Sequence, residues 1–556
     1  MKMKIPLGIS DFKSLKSDDY YFVDKSLLIK EVIEDGAQVL LFARPRRFGK
    51  TLNMSMLKYF FDINSNSGDL FKGLKITEDE EIMTKQGKYP VIYLTFKDEK
   101  YSKWENTIKG IEILVSKLYE NFDYLLNSKE ISDHKKEEMR KIIRREIDNV
   151  ELSKSILNLC ELLYRHHNSK VVILVDEYDV PIQSGYIHGF YDEIIEFMRN
   201  FLSGGLKDNP YLEKAVITGI LRISKESIFS GLNNLKVNTM LNEQYSEYFG
   251  FTEGEVEQIL DYYGLKFKFG DIRDWYNGYL FGKDVIYNPW SVLYYTANYN
   301  EGLKPYWVNT STNDLVKILL TNGGQEIKKD LEDLIKGDKI LKRIDENIIL
   351  PDVDKSSESV WSFLLYSGYL KASDKNLKEG KLYCNLTIPN NEVMYLYKEV
   401  ILSWITDNIS INRFETMIKS LLKKDIETFE EILSDYVFKS ASYFDIERES
   451  EKFYHALVLG MLIATEEYYH IKSNRESGLG RYDIMMIPKE STNPGIIIEF
   501  KKVNTRKNET LETAAQNALT QIENQKYRQE LVDLGIKEII EMAVVFEGKE
   551  VLVKIK

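Results

Sequence analysis

The chain has 556 residues, of which 43% are hydrophobic and 29% are charged. This balance is typical of a globular protein with several domains, and it excludes a mostly disordered chain, a collagen and a simple coiled coil. A formal net charge of −12 argues against a wholly basic nucleic-acid coat but is compatible with local basic clefts. Two cysteines and six histidines exclude a disulfide framework and make a histidine-rich metal site a poor fit.

The sequence carries no signal for secretion or for a membrane. The first residues, MKMKIPLGISDF, lack the apolar core of a signal peptide. The longest apolar runs, such as 456–464, are far shorter than the ~20 residues of a membrane span. We therefore expect a cytoplasmic protein without a membrane partner.

Apolar runs and helical patterns alternate along the first part of the chain. The predicted strands cover residues 38–43, 90–96, 171–176 and 215–220, and residues 104–164 are predicted to be largely helical. Strands that alternate with helices favour a parallel α/β sheet.

The composition changes twice after this part. From about residue 250, Tyr, Trp and Asn become dense and helical patterns dominate to about 440. A helix, two strands around a glycine turn, a third strand, a helix and a last strand then follow. We predict a multidomain α/β fold with three regions: an α/β domain over 1–245, a mainly helical middle or lid region over 246–440, and a small α/β domain over 441–556.

The segment RPRRFGKT at 44–51 stands between a predicted strand and a predicted helix. It matches the phosphate-binding pattern G-x-x-x-x-G-K-[ST] at Gly49, Lys50 and Thr51, whereas Arg44 replaces the first glycine. In such a loop the helix N-terminus attracts phosphate, the lysine contacts the β- and γ-phosphates, and the hydroxyl binds Mg²⁺. A basic turn without a ligand is the alternative interpretation.

Two further strand ends carry candidate residues for the same site. VVILVDEYD at 171–179 ends in Asp176, suited to hold Mg²⁺, and Glu177, suited to orient the attacking water. AVITGILRIS at 215–224 offers Thr218 near the γ-phosphate and Arg222 as its sensor. The alternatives are a solvated acidic turn after the first strand and a turn that needs only Gly219 after the second.

The C-terminal region contains a second constellation. GRYDIMM places Asp483 on one predicted strand, and IIIEFKK places Glu499 and Lys501 on the next, with both side chains on one face of the sheet. Two carboxylates can hold Mg²⁺ or Mn²⁺, and the lysine can position water, which is the D…E-x-K arrangement of metal-dependent phosphodiester cleavage. Glu451 on the preceding helix is a further candidate ligand.

The alternative for this constellation is a surface ion pair of small energetic value. Tyr482 rather than proline precedes Asp483, so the first half of the pattern is loose. The middle region offers no catalytic set. Its aromatic residues could stack bases, but we favour a core or interface role for them: Trp275, Tyr276, Trp290 and Trp307.

The chain resembles bacterial AAA-ATPase-like proteins that carry a C-terminal PD-(D/E)xK nuclease-family domain. The resemblance covers essentially the whole chain and rests on these segments: GISDF at 8–12, YYFVDKS at 20–26, RPRRFGKT at 44–51, VDEYD at 175–179, TGILRISKES at 218–227, WYNGYLFG, YNPWSV and YWVNTS. In that family an x-P-R-R-x-G-K-[ST] loop replaces the glycine-rich one, so Arg44 is expected there.

The resemblance implies ATP and Mg²⁺ as cofactors, Glu177 as the catalytic base, and closure of residues 8–25 over the nucleotide. It also implies that Gln521 is the glutamine often found beside the nuclease site. The predicted nucleotide-binding residues are Arg46, Arg47, Phe48, Gly49, Lys50, Thr51, Asp176, Thr218 and Arg222. The predicted metal ligands are Thr51, Asp176, Glu451, Asp483 and Glu499, and the predicted catalytic residues are Glu177, Asp483, Glu499 and Lys501.

Three functions fit these residues. The first is a P-loop ATPase coupled to a metal-dependent nuclease, with Mn²⁺ as an alternative metal at the second site. The second is an ATP-driven switch whose C-terminal domain binds nucleic acid or a partner without cleaving, and the third is a scaffold with a vestigial nucleotide site. We expect a nucleic-acid partner, with DNA favoured over RNA, and leave a homo-oligomer open.

Overall fold

The computed structural model describes most of the chain in two compact units. One unit consists of residues 1–319 and 337–394, the other of 320–336 and 395–556. The described residues are 2–220, 234–308, 314–321, 323–346, 350–353, 356–406, 410–440, 460, 465, 468–473, 476–477, 480–481, 483–490, 493–503, 508–525, 527–548 and 550–556.

A parallel sheet forms the centre of the first part of the chain, as predicted, and it contains a fifth strand, Leu235–Asn238, beyond the four predicted ones. Its strand order is β2-β3-β4-β1-β5. The elements are α1 (Phe12–Ser17), α2 (Leu28–Glu34), β1 (Val39–Ala43), α3 (Lys50–Phe61), α4 (Glu80–Met83), β2 (Val91–Thr95), α5 (Trp104–Glu120), α6 (Asp133–Arg144), α7 (Asn149–Ser153), α8 (Ser155–His167), β3 (Val171–Asp176), α9 (Val180–His188), α10 (Tyr191–Leu206), β4 (Leu212–Gly219) and β5 (Leu235–Asn238).

The strands of this sheet read as apolar runs because helices cover them. Every residue of β1 and β3 is buried. Helices α3 and α8 pack against β3, and α10 packs against β4. Since all five strands are parallel, their carboxyl ends meet at one edge, where the loops after β1, β3 and β4 come together.

The region after residue 245 contains many helices, and the structure adds two three-stranded antiparallel sheets to them, in the orders β6-β8-β7 and β10-β11-β9. The elements are β6 (Phe251–Thr252), α11 (Glu253–Tyr263), α12 (Phe269–Tyr276), β7 (Tyr279–Phe281), β8 (Asp284–Tyr287), α13 (Pro289–Ala297), α14 (Asp314–Thr321), α15 (Gln325–Ile335), β9 (Ile340–Ile344), α16 (Ser357–Tyr366), β10 (Lys371–Lys378), β11 (Lys381–Thr387), α17 (Asn391–Thr406), α18 (Ile411–Leu422) and α19 (Ile426–Ser440).

A mixed five-stranded sheet, β12-β15-β16-β17-β18, forms the C-terminal part. Only the β16–β17 pair is parallel among these strands. The elements are β12 (Tyr469–Ser473), β13 (Glu476–Ser477), β14 (Gly480–Arg481), β15 (Ile484–Pro488), β16 (Gly495–Lys502), α20 (Leu511–Asn524), α21 (Arg528–Asp533), β17 (Ile539–Glu547) and β18 (Glu550–Ile555).

Two apolar cores cover the two faces of this C-terminal sheet. On one face, alternate strand residues such as Ile484 and Ile498 pack with α18 and α19. On the other face, Met485 and Ile497 pack with α20 and α21. The period of two along each strand therefore assigns Glu499 and Lys501, which continue the series from Ile497, to the α20 face.

Three details of the sequence prediction change. The predicted C-terminal helix is two helices, α20 and α21, and a final strand, β18, pairs with β17. The strand after the glycine turn begins at Ile484, so Asp483 immediately precedes it rather than lying on it. Most of the predicted helix 450–465 lies outside the described residues.

The predicted domain boundaries at 245 and 440 stay a prediction. By compactness, residues 246–319 and 337–394 group with the N-terminal sheet, and residues 395–440 group with the C-terminal one. Within the described ranges, no helix combines the length and the apolar character needed to cross a membrane.

Candidate functional site

The loop between β1 and α3 forms the predicted phosphate-binding segment. Gly49 caps α3 with a left-handed backbone (φ 83°), a conformation that glycine adopts without strain. The N-terminal amides of this 12-residue helix are available to an anion at this point. Lys50, only 4% exposed, donates from Nζ to the carbonyl oxygens of Arg44 at 3.0 Å and Pro45 at 2.9 Å. Burial lowers the pKa of this lysine.

The predicted carboxylate and hydroxyls meet beside this loop. Asp176 ends β3 and is fully buried. Its Oδ2 accepts a hydrogen bond from Thr51 Oγ1 at 2.8 Å, and its Oδ1 accepts one from Thr218 Oγ1. Strand β4 is the neighbour of β3 in the sheet, which brings Thr218 near the end of β4 beside Asp176, and Asp176 accepts hydrogen bonds from both hydroxyls. Burial raises the pKa of Asp176 although both hydroxyls lower it.

This donor set suits a hard divalent cation. A carboxylate and a threonine hydroxyl 2.8 Å apart are oxygen ligands of the kind that Mg²⁺ takes together with phosphate oxygens and water. Glu177 follows directly with a left-handed backbone (φ 54°), which is uncommon outside glycine. Its backbone N–H donates to Thr218 Oγ1 at 3.3 Å.

A cavity of about 490 Å³ opens over these residues. Its floor includes Gly49, Lys50, Thr51 and Glu177, and it lies within the size range of small-molecule sites. Its other walls come from the N-terminal segment and from α13. The lining residues of those walls include Gly8, Ile9, Ser10, Tyr21, Phe22, Val23, Pro289, Trp290 and Leu293. Residues of the 8–25 segment and the phosphate-binding loop therefore face one cavity.

Arg44, which stands where a glycine is usual, is part of the core. Its side chain is fully buried, with the guanidinium carbon 5.2 Å from the Phe249 ring centre and 5.3 Å from that of Phe281. Nη1 donates to the carbonyl oxygens of Ala43 and Asn238. Burial lowers the pKa of Arg44 to about 9. The Arg44 side chain therefore anchors the loop to the core and does not line the cavity.

The next two arginines contact other elements from within the loop. Arg46 Nη2 donates to Gln183 Oε1 on α9 at 3.1 Å. The Arg47 guanidinium carbon lies 4.1 Å from the ring centre of Trp290 on α13, in a cation–π contact. Trp307 Nε1 donates to the Arg46 carbonyl oxygen at 3.1 Å. Both arginines line the cavity, so a phosphate would meet them already oriented.

Phe48 packs its ring against the β7 strand, 4.9 Å from the Tyr279 ring centre and 5.3 Å from that of Phe281. Its carbonyl oxygen accepts a hydrogen bond from the Gly250 N–H at 3.0 Å. Gly250 has a φ of +94°, and a Cβ there would lie 3.0 Å from Phe48 Cδ1. Glycine is required at 250 because the two backbones approach closely.

Sequence reasoning did not assign Trp290, Trp307, Gly250 or Gln183 to this site. The dense aromatic segments at 274–308 were the available signal, and we interpreted them as core or interface. Tyr276 and Trp307 are indeed buried, but Trp307 also bonds the loop. Predicted residue Arg222 lies outside the described residues.

The second constellation lies on adjacent antiparallel strands. Ile484 pairs with Ile498, so Asp483 stands at the position opposite Glu499. Asp483 Oδ2 accepts the Phe500 backbone N–H at 2.7 Å, which fixes the aspartate at the strand end. The structure thus brings the two predicted carboxylates to one end of the β15–β16 pair.

Lys501 and Gln521 complete this cluster. Lys501 Nζ donates to Glu499 Oε1 at 3.3 Å and to Gln521 Oε1 at 2.6 Å. Gln521, on α20, donates from Nε2 to the same Glu499 oxygen. The glutamine therefore orients both the lysine and the glutamate, as expected of a residue beside the site.

The electrostatics of the cluster fit a bound cation. Glu499 is 2% exposed, and its Oε2 has no hydrogen-bond partner in the part of the chain that the structure describes. Burial and then the charge of Asp483 raise the pKa of Glu499 to about 7. Burial also raises the pKa of Asp483. A divalent cation would supply the partner that the buried oxygen lacks.

The cluster supplies two carboxylates. The described ranges contain no group of three or more His, Cys, Asp or Glu side chains arranged to hold a metal. Glu451, the predicted further ligand, lies outside those ranges. Asp483 and Glu499 would therefore share the coordination of a cation with water or with substrate oxygens.

Comparisons with known proteins identify two domains. A family described as Predicted AAA-ATPase matches residues 6–229, and the PD-(D/E)XK nuclease superfamily matches residues 449–556. A protein of Azotobacter chroococcum mcd 1, named uncharacterized protein in vnfD 5′ region, is 27% identical over 427 residues, which are 76% of this chain and 74% of that protein. The chain carries an AAA-ATPase-like domain at its N-terminus and a PD-(D/E)XK nuclease superfamily domain at its C-terminus.

Proposed function

We propose that this protein binds and hydrolyses ATP at the β1–α3 loop and that this activity controls a metal-dependent nuclease in its C-terminal domain. The observation that carries the ATP site is the Thr51–Asp176–Thr218 hydrogen-bonded cluster beside Lys50, at a helix N-terminus that opens into a cavity. Mg²⁺, when bound with ATP, supplies charge neutralisation at the β- and γ-phosphates.

Each residue of this site has a separate role. Lys50 exchanges its two carbonyl partners for phosphate oxygens, and the α3 amides bind the same anion. Thr51 and Asp176 would hold the metal, and Thr218 fixes the orientation of Asp176. Glu177 accepts the proton of the attacking water, and its backbone bond to Thr218 keeps it at the strand end.

At the C-terminal site, Asp483 and Glu499 would hold Mg²⁺ or Mn²⁺ beside a phosphodiester. Lys501, oriented by Gln521, would position the attacking water and offset the charge that develops on phosphate. A nucleic acid, with DNA favoured over RNA, is the proposed substrate. A cytoplasmic location and a homo-oligomer stay predictions.

The second candidate is an ATP-driven switch whose C-terminal domain binds nucleic acid or a partner without cleaving. One observation favours it: Tyr482 rather than proline precedes Asp483, so the first half of the nuclease pattern is loose, and a domain can keep its fold and carboxylates while only binding. Cleavage assays decide between the two candidates.

Nucleotide binding is tested by calorimetric titration of ATP·Mg²⁺ into wild type, Lys50→Ala and Lys109→Ala. Lys109 is an exposed lysine on α5 and serves as the matched control. We expect Lys50→Ala to lose at least about tenfold in affinity because the phosphates lose their buried ammonium partner. Equal affinity of all three proteins would contradict the assignment of the loop.

A further inference from the structure

Glu392, at the start of α17, is a buried carboxylate to which no role has been assigned above. It is fully buried. Its Oε2 accepts a hydrogen bond from Ser291 Oγ at 2.7 Å, and its Oε1 accepts one from the Trp307 backbone N–H at 2.6 Å. The Val308 backbone N–H also donates to it. No Lys, Arg or His forms a salt bridge with it in the described part of the chain, so these neutral donors stabilise its charge.

The partners of Glu392 are the residues that contact the phosphate-binding loop. Trp307 donates from Nε1 to the Arg46 carbonyl oxygen at 3.1 Å. Ser291 follows Trp290 on α13, and the Trp290 ring lies 4.1 Å from the Arg47 guanidinium carbon. The Glu392 carboxylate therefore bonds both α13 and the Trp307 backbone. These two elements contact the consecutive loop residues Arg46 and Arg47.

The backbone conformation of the loop needs contacts with other elements to hold it. Arg47 has a left-handed backbone (φ 67°), which costs free energy in a residue with a side chain and persists only where its surroundings hold it. Gly278 (φ +97°) allows the close approach of residues 389–392, since a Cβ there would lie 1.9 Å from the Pro389 carbonyl oxygen. Asn390 Nδ2 bonds the Asn277 carbonyl oxygen at 2.6 Å, so the segment that carries Glu392 is itself fixed.

We propose that Glu392 is a positioning residue for the nucleotide site: through Trp307 and α13 it fixes the Arg46–Arg47 backbone and the Arg47 side chain in the geometry that receives phosphate. This inference rests on the proposed ATP function. Because Glu392 contacts the loop only through other residues, it determines the affinity for nucleotide more than the rate of the hydrolytic step.

The ionisation of Glu392 predicts that the anchoring of the loop depends on pH. Burial raises the pKa of Glu392 to about 7. The titratable side chains that its charge affects are Tyr276 on α12, Tyr279 on β7 and Tyr306, and burial raises the pKa of each far enough to keep it neutral near pH 7. Above pH 7 the ionised carboxylate accepts the hydrogen bonds from Ser291, Trp307 and Val308. Below pH 7 the group is protonated, and it can accept fewer hydrogen bonds. Loop anchoring therefore weakens as the pH falls.

The first test measures the loop without nucleotide, by amide hydrogen exchange of residues 44–50 in wild type, Glu392→Leu, Glu392→Gln and the exposed control Glu257→Gln. We expect Glu392→Leu to speed exchange of the loop by about fivefold or more and the control to leave it unchanged. Glutamine can still accept from Trp307 and donate to Ser291, so Glu392→Gln should rescue most of the protection. Loop exchange in folded Glu392→Leu equal to that of wild type would overturn the proposal.

The second test measures the dissociation constant of a fluorescent ATP analogue and the turnover of ATP between about pH 6 and pH 8. For Glu392→Leu we expect affinity to fall by about tenfold and kcat to change by less than about twofold. Wild-type affinity should fall more steeply than that of Glu392→Gln as the pH decreases. Identical pH profiles of the two proteins would contradict the role of the carboxylate.

One further variant keeps the tests decisive. If Glu392→Leu does not fold, Trp307→Phe removes the bond from Nε1 to Arg46, keeps an aromatic ring and the backbone N–H that donates to Glu392, and should reproduce the faster loop exchange. Failure of Trp307→Phe to change exchange would count against the proposal in the same way. If wild type binds no nucleotide, the proposed ATP function fails, and loop exchange still decides whether Glu392 anchors the loop.

Discussion

Lys50 shows why the loop is suited to bind an anion. Its ammonium group is buried and bonded to two carbonyl oxygens, which are neutral acceptors. The carboxylates of Glu177, Asp179 and Asp176 raise its pKa but do not fully offset the effect of burial, which lowers it. Phosphate oxygens are stronger, anionic acceptors. Binding of a nucleotide therefore pairs the Lys50 ammonium group, whose burial without an anionic partner costs free energy.

Glu177 provides a prediction at the level of a single residue. Glu177→Gln keeps the size of the side chain but removes its ability to accept a proton. We expect ATP affinity within about twofold of wild type and hydrolysis slower by about 10²- to 10⁴-fold, the usual contribution of a general base. Steady-state turnover together with calorimetric binding measures both quantities. Normal turnover in the variant would remove Glu177 from the role of base.

Glu392 provides a prediction about stability. Its pKa is raised to about 7 from an ordinary 4.5, so the folded state binds the proton more tightly than the unfolded state. Stability therefore falls as the pH rises from 4.5 to 7, because the buried carboxyl must ionise. Glu392→Gln removes this cost and should stabilise the fold by about 1 to 3 kcal/mol at pH 8 and by much less at pH 5.

The comparison of thermal unfolding at the two pH values tests this stability prediction. The exposed variant Glu257→Gln provides the control and should show the same pH dependence as wild type. A Glu392→Gln protein that is less stable than wild type at pH 8 would contradict it. Together with the affinity measurements, the result would show that Glu392 is kept for function at a cost in stability.

At the scale of elements, the phosphate-binding loop is held by its neighbours rather than by its own glycines. Arg44 packs between two phenylalanine rings, Arg46 bonds α9, and Arg47 stacks on α13. Gly368 (φ +89°) lies against Pro45, where a Cβ would come within 2.9 Å of the proline ring. The arginines of this loop thus contact several elements that are distant in sequence, and these contacts restrict the backbone of the loop.

Gly250 tests this account of the loop. In Gly250→Ala the new Cβ would lie 2.3 Å from Ile286 Cγ2 and 3.0 Å from Phe48 Cδ1, at a φ of +94°. We expect the variant to lose about 2 kcal/mol or more of stability and to bind ATP more weakly. Gly254→Ala, on α11 with no atom within 4 Å of the new Cβ, is the control and should be neutral or slightly stabilising. Equal melting temperatures of Gly250→Ala and wild type would contradict the close-approach argument.

The sequence predicted the elements whose signals are local. β1, β3 and β4 are apolar runs that end at polar turns. Asp176 and Thr218 lie at the carboxyl ends of β3 and β4, and Lys50 begins the helix after the β1 loop, so the cluster of these residues could be expected. The strand pair that brings Asp483, just before β15, opposite Glu499 on β16 could also be expected, because the short connection permits a hairpin.

The partners of the loop arginines could not be predicted, because they are distant in sequence. Gln183 lies 137 residues from Arg46, and Trp307 lies 261 residues from it. The aromatic density at 274–308 indicated packing but not against which element. Single-sequence patterns report the periodicity of one element, whereas such contacts depend on the tertiary fold.

At the scale of the whole molecule, the described part of each compact unit carries a charged centre at the ends of sheet strands. In the first unit the centre combines Lys50 with Asp176 at the ends of parallel strands. In the second it combines Asp483, Glu499 and Lys501 at the end of an antiparallel pair. The two centres belong to two recognised domains, AAA-ATPase-like and PD-(D/E)XK, which is the basis for the proposal that ATP controls cleavage.

The central claim is tested most directly by cleavage of labelled single- and double-stranded DNA with Mg²⁺ or Mn²⁺, with and without ATP. The proteins to compare are wild type, Lys501→Ala, Lys50→Ala and Lys502→Ala, whose lysine is exposed and adjacent to the site residue. We predict cleavage by wild type and Lys502→Ala, loss of cleavage by at least about 10²-fold in Lys501→Ala, and loss of the ATP effect in Lys50→Ala. Cleavage that persists unchanged in Lys501→Ala, or no cleavage by wild type under any of these conditions, would contradict it.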